Sequence, residues 1–144
     1  MKRFAATFLV LSWVIMGFSF AFLVPMAWDW LGEGGQNTRV WSWCFLFTLL
    51  SGTWLWLRTR HTSRELSVRD GFLLVTLVWV VLPFYAALPL LFVVHGISFT
   101  DAYFEAMSGL TATGATTLAG LDLLAPSVNI WRCFLQLIGG LGIM

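Results

Sequence analysis

The sequence predicts an all-α integral membrane protein, and three observations predict it. Of 144 residues, 59% are hydrophobic and only 10% are charged, against about 25% charged in an average soluble domain. The mean hydropathy is +0.85. The apolar residues fall into four long stretches, and the charges collect between them. This composition excludes an intrinsically disordered chain. A net charge of +1 excludes a basic nucleic-acid binder, and two cysteines in apolar stretches, Cys44 and Cys133, exclude a disulfide scaffold.

Residues 4–30 form the first stretch, uncharged until Asp29. At about 1.5 Å per residue it crosses a hydrocarbon core of roughly 30 Å with some tilt. Lys2 and Arg3 also suit a cleaved signal peptide. The run exceeds an h-region of about 7–15 residues, however, and Pro25 spoils the small-residue site near Ala27. A retained helix is preferred, with Trp28 and Trp30 in the aromatic belt. Residues 40–57 are the second stretch, 18 residues between Arg39 and Arg58, near the lower limit for a crossing. Residues 71–94 are the third, with Pro83 and Pro89 as kinks that neighbouring helices can satisfy. The fourth, residues 130–144, has 15 residues and includes Arg132. That is too short to cross, so the chain is expected to be a piece cut off inside a helix.

Basic residues orient these spans. Lys2 and Arg3, with Arg58, Arg60, Arg64 and Arg69, make six of the eight Lys and Arg, whereas the first interhelical loop sets only Arg39 against Asp29 and Glu33. The positive-inside rule therefore predicts a cytoplasmic N-terminus and a cytoplasmic linker at residues 58–70. That linker divides an N-terminal helical hairpin (1–57) from a second unit (71–144). Its arginines could instead bind anionic lipid headgroups or a cytosolic partner; a topology signal is preferred.

Residues 95–129 are neither a simple loop nor a full span. Ser98 and Asp101 fit an N-terminal capping pattern, and residues 100–110 read as a helix of about 16 Å, half a bilayer. Asp101 and Glu105 lie one turn apart near its start, where they suit the helix dipole. In Thr111-Ala112-Thr113-Gly114-Ala115-Thr116-Thr117, alternating β-branched and small residues favour extended backbone. Gly114 can take φ > 0, so successive carbonyls can face one side. A half-helix followed by a returning strand is a re-entrant loop, tolerated at membrane depth only when buried in protein or lining water. Inward carbonyls from Ala112 to Ala115 would replace the hydration shell of a monovalent cation, with threonine hydroxyls as braces.

The strings FEA-x-SGLT-x-TGAT and Q-x-x-GG-x-G, spaced as a pore loop and its outgoing helix, closely resemble the first pore repeat of the Trk/Ktr/HKT superfamily of potassium transporters, most of all its bacterial Trk-type membrane subunit. The match covers residues 98–144; residues 71–94 agree as the preceding helix, and the hairpin agrees only in topology and length. The resemblance implies four M1–pore–M2 repeats in one chain, of which this sequence holds the first, truncated inside M2, after an additional N-terminal helix pair. It implies potassium as transported ligand with no cofactor, transport that is passive or coupled to an ion gradient, and a multi-pass protein of the inner membrane. It also implies a homodimer bound to a cytosolic nucleotide-binding regulatory subunit. Gly114 occupies the position of the filter glycine, flanked by Thr111, Ala112, Thr113 and Ala115.

Blander readings apply elsewhere. Asp101 and Glu105 are expected to bond neighbouring backbone rather than form a cation-attracting mouth, and Asp122 is given no direct role. Gly139, Gly140 and Gly142 are expected to allow close helix packing, and Arg132 to snorkel to the outer interface. His61 and His95 are isolated from other metal ligands, and both cysteines read as small apolar packers. A Gly/Thr-rich external loop and a phosphate-cradling loop are the rivals at Thr111–Ala115; the second lacks Gly-Lys-Ser/Thr. No nucleophile–base pair, HExxH motif or carboxylate dyad points to an enzyme. The alternative for the whole chain is a small, non-transporting helical membrane protein acting by lateral assembly, or a non-functional truncated piece.

Overall fold

A backbone in hydrocarbon must satisfy its own N–H and C=O groups, and the long apolar runs do so as helices. The computed structural model describes residues 4–32, 34–61 and 67–143. Expectations for Lys2, Arg3, Glu33, Arg64 and Met144 lie outside the described residues. The first run is α1 (Ala5–Ser19), a 3-10 turn (Phe20–Phe22) and α2 (Leu23–Gly32). Together they make a 28-residue candidate span. Tightening to 3-10 shortly before Pro25 fits the N–H that proline lacks. Trp28 and Trp30, at 50% and 70% exposure, stay at the outer surface of this end.

A hairpin joins α2 to α3 (Thr38–Thr59). Asp29 is fully buried, and its carboxylate accepts the Asn37 N–H at 3.1 Å and the Thr38 hydroxyl at 2.5 Å. It caps the start of α3 from the preceding helix, satisfying a donor that the helix leaves open. At the other end of α3, Arg58 and Arg60 lie over Trp54 and Trp56 at 5.2 and 5.6 Å, a cation–π pairing of basic and aromatic side chains.

Helix α4 (Val68–Val93) begins with a reciprocal capping box between Ser67 and Asp70 and runs 26 residues through Pro83 and Pro89. The carbonyl three residues before each proline receives a side-chain donor. Tyr103 donates its hydroxyl to Val80 O at 3.2 Å, and Trp131 Nε1 donates to Ala86 O at 3.0 Å. Neighbouring helices thus supply donors beside the two prolines.

Two shorter helices complete the chain: α5 (Phe99–Leu110) and α6 (Pro126–Ile143), with a 3-10 turn (Leu121–Leu123) between them. The fourth apolar stretch is longer than expected because Pro126 and the polar residues after it join the helix. Proline suits a first helical position, where its missing N–H costs nothing. α1 packs along α3, α4 and α6 pack on α5, and α2 packs on α6. The core gathers where α6 meets the hairpin. There the fully buried Trp131 stacks on Phe22 at 4.7 Å and meets Trp41 edge-on at 5.8 Å. Among the described residues the regular structure is all helical, with three helices long and apolar enough to cross a membrane: Ala5–Gly32, Thr38–Thr59 and Val68–Val93.

Candidate functional site

The site is built on α5. Ser98 caps it, accepting the Asp101 N–H at 3.1 Å and donating to the Asp101 carboxylate at 2.6 Å, as the spacing predicts. Twelve residues rise about 18 Å, so α5 is half the length of a crossing. Its apolar side, Ala102, Ala106 and Leu110, is buried.

Helix α5 ends in a left-handed cap. Ala112 has φ 54°, the Ala112 N–H donates to Gly109 O, and the Thr113 N–H reaches back to Ser108 O at 2.9 Å. This is the Schellman arrangement, which normally places glycine in the left-handed position. The strained residue is not foreseen from the sequence, because alanine carries no signal for φ > 0. Gly114 follows with φ 74°, as expected for it. Two left-handed residues, Ala112 and Gly114, flank Thr113 in a non-helical stretch.

From Thr113 the backbone returns along α5 and α6. Ser108 Oγ donates to the Ala115 carbonyl at 2.7 Å. The expectation that carbonyls from Ala112 to Ala115 face one side therefore fails at Ala115, whose oxygen turns back toward the helix. Thr111 Oγ1 lies 2.7 Å from Thr113 Oγ1 and donates to Met107 O at 2.8 Å, so these hydroxyls brace the turn. Residues 113–117 are exposed on their other side.

Glu105 is the central side chain, and its expected role changes. It sits in the middle of α5, 3% exposed, and its partners lie across the loop rather than on neighbouring backbone. Its Oε1 accepts the Thr116 hydroxyl and the Thr117 N–H, each at 2.6 Å. Its Oε2 accepts Arg132 Nε at 2.9 Å. Arg132, expected to snorkel to the outer interface, gains a partner within the fold: an arginine one helix away from a buried carboxylate pairs with it, since an unpaired buried charge is costly. Asp101 keeps its helix-start role, and Asp122 lies exposed in the 3-10 turn. Cys133 is exposed rather than packed, whereas Cys44 is buried.

Glycine brings α6 against this unit. A Cβ at Gly139 would overlap the Leu110 carbonyl, so the end of α5 and the C-terminal third of α6 touch backbone to backbone. Gly140 and Gly142 face open space. A cavity of about 70 Å³ remains between the strand and the two helices, bordered by Glu105, Ser108, Gly114, Arg132 and Gln136.

A family model described as a cation transport protein, TrkH, matches residues 39–144. The chain is 38% identical over 143 residues to the Trk system potassium uptake protein TrkH of Escherichia coli K12, covering 99% of this chain and 29% of that protein. Against the corresponding protein of Vibrio parahaemolyticus the identity is 46% over 101 residues, 69% of this chain and 21% of the relative. The crystal structure of the potassium transporter TrkH from Vibrio parahaemolyticus superposes with a TM-score of 0.88 at 35% identity, over 98% of this chain and 30% of that one. The chain thus spans less than a third of the length of these relatives.

Proposed function

Because the chain belongs to the TrkH family of cation transport proteins, we propose that it is the N-terminal part of the ion-conducting membrane subunit of a Trk-type potassium uptake system. In this reading residues 1–57 form the N-terminal hairpin, 58–70 a cytoplasmic linker, and 71–144 the first of four M1–pore–M2 repeats. The observation that carries it is the loop after α5. A half-length helix ends in two left-handed residues around Thr113, and the strand then folds back with one side open.

That open side would meet the other repeats around a shared axis. Carbonyls of Ala112, Thr113 and Gly114, with Thr111 flanking them, would replace the hydration shell of potassium, the cargo, as oxygen-lined filters do. The Ala115 carbonyl, engaged by Ser108, leaves the ligand set, and Ala115 becomes a brace. No resident cofactor belongs to this reading, and no substrate is chemically changed. Transport would be passive or coupled to an ion gradient, in an inner-membrane, multi-pass protein with a cytoplasmic N-terminus. The arginines over Trp54 and Trp56 at one end of α3 support that orientation. A homodimer with a cytosolic nucleotide-binding subunit is the assembly proposed.

The test is Gly114→Asp in the complete protein, expressed in cells that lack potassium uptake of their own. Aspartate at φ 74° is strained, and its charged side chain would stand beside the ion path. Uptake at micromolar potassium should fall at least a hundredfold, with the protein still in the membrane. Unchanged uptake would remove Gly114 from the filter.

A further inference from the structure

Resting on the potassium-transport reading, we infer that Glu105, Arg132 and Thr116 form a positioning clamp that sets the spacing of the carbonyls of residues 112–114, and with it the preference among alkali cations. The strand is tied at three levels. Its first residues are held by the helix cap, through the Ala112 and Thr113 N–H groups on Gly109 O and Ser108 O. Its middle is held by Ser108 Oγ on the Ala115 carbonyl. Its far end is held by Glu105, which takes the Thr116 hydroxyl and the Thr117 N–H. Gly114, the residue with most backbone freedom, lies between ties on both sides.

The chemistry of the far tie makes it stiff. A carboxylate accepts about four hydrogen bonds, and Glu105 collects two close donors on one oxygen and the Arg132 guanidinium on the other. Its side chain is 1% exposed, so water offers little competition. Charge-assisted bonds of this kind are shorter and stronger than neutral ones. The pair carries no net charge, so it holds geometry while adding only the short-ranged field of a dipole at the ion. Groups that orient ligating groups set affinity and discrimination without touching the ion. The strand's open side is left to the ligand.

The experiment uses the complete transporter and measures half-saturating potassium, the sodium-to-potassium uptake ratio and the amount of protein in the membrane. Thr116→Val, at an exposed position, keeps the shape while removing the hydroxyl that donates to Glu105 and accepts the Leu118 N–H at 3.1 Å. It should raise half-saturating potassium about tenfold and lower discrimination against sodium, at an unaltered protein level. Glu105→Asp should lie between Glu105→Gln and the unaltered protein. The double variant Glu105→Gln, Arg132→Gln removes both charges and should stay impaired. If it instead restores affinity and discrimination, the groups act through their field, and the positioning role is overturned. That role is equally overturned if Thr116→Val, present at normal level, leaves both readouts unaltered. Thr116→Val decides the matter even where Glu105→Gln fails to reach the membrane. An unaltered transporter that moves no potassium overturns the transport reading and the clamp together.

Discussion

In α1 to α3, apart from the turn that Asp29 caps, the backbone closes its hydrogen bonds inside helices, and the side chains that meet are mostly apolar or aromatic. In residues 99–143 the backbone leaves helical geometry after Leu110 and does not regain it as α-helix until Pro126. There, polar groups are met by particular side chains: Ser108, Thr111, Glu105 and Arg132. The two regions teach different lessons about substitution. The helical hairpin presents Trp13, Trp43 and Leu50 outward at 60%, 73% and 65% exposure, and such positions need only stay apolar. The loop unit depends on specific partners, because each unmet polar group away from water costs a few kcal/mol.

Trp131 is where the regions join, so breaking it should have the largest effect. Trp131→Ala removes the stack on Phe22, the edge contact with Trp41 and the bond to Ala86 O. We expect a loss of about 4 kcal/mol, read as thermal unfolding of the detergent-purified protein. A matching Leu50→Ala change should move that midpoint far less. If the two losses are alike, α6 is not anchored by the hairpin.

Next in size is Gly139→Ala. The added methyl would overlap the carbonyl carbon and oxygen of Leu110, and these are backbone atoms that no rotamer change can move aside. A cost of about 3 kcal/mol is expected, whereas Gly140→Ala, which faces open space, should be close to silent. Equal tolerance at both glycines in the same melting assay would show that α5 and α6 do not touch there.

The smallest effect sharpens the comparison from the opposite side. Ala112→Gly relieves a left-handed alanine worth about 1–2 kcal/mol of strain, and returns part of that as unfolded-chain entropy, so a net gain of roughly 0.5–1 kcal/mol is expected. A lower melting temperature would mean that Ala112 is not left-handed in the folded protein. An alanine-to-glycine change inside a regular helix such as α1 should destabilise instead.

Much of the fold was legible because its signals are local. Apolar runs longer than a bilayer is thick, the Ser98–Asp101 cap and the threonine–glycine stretch after Leu110 each act over a few residues. The class of ion and the repeat plan came from a resemblance carried by two motifs, since composition alone says only that the chain is apolar. Ala112 was illegible because its backbone is forced by the cap geometry of α5. The pairing of Arg132 was illegible because its partner lies 27 residues away, and an interface was the nearest local explanation.

Taken alone, the amino-acid order determined which segments are helical to within a few residues at each end, which are apolar enough to cross a membrane, and that one segment is not helical. These follow from hydrophobicity, capping and backbone sterics within a turn or two. Only the packed chain decided that Glu105 faces the returning strand, that Arg132 answers it, that Ala115 turns its oxygen inward, and that Gly139 rather than Gly140 meets Leu110. Those choices depend on which helix faces are brought together, and a buried charge or a backbone contact acquires its partner only when distant segments meet.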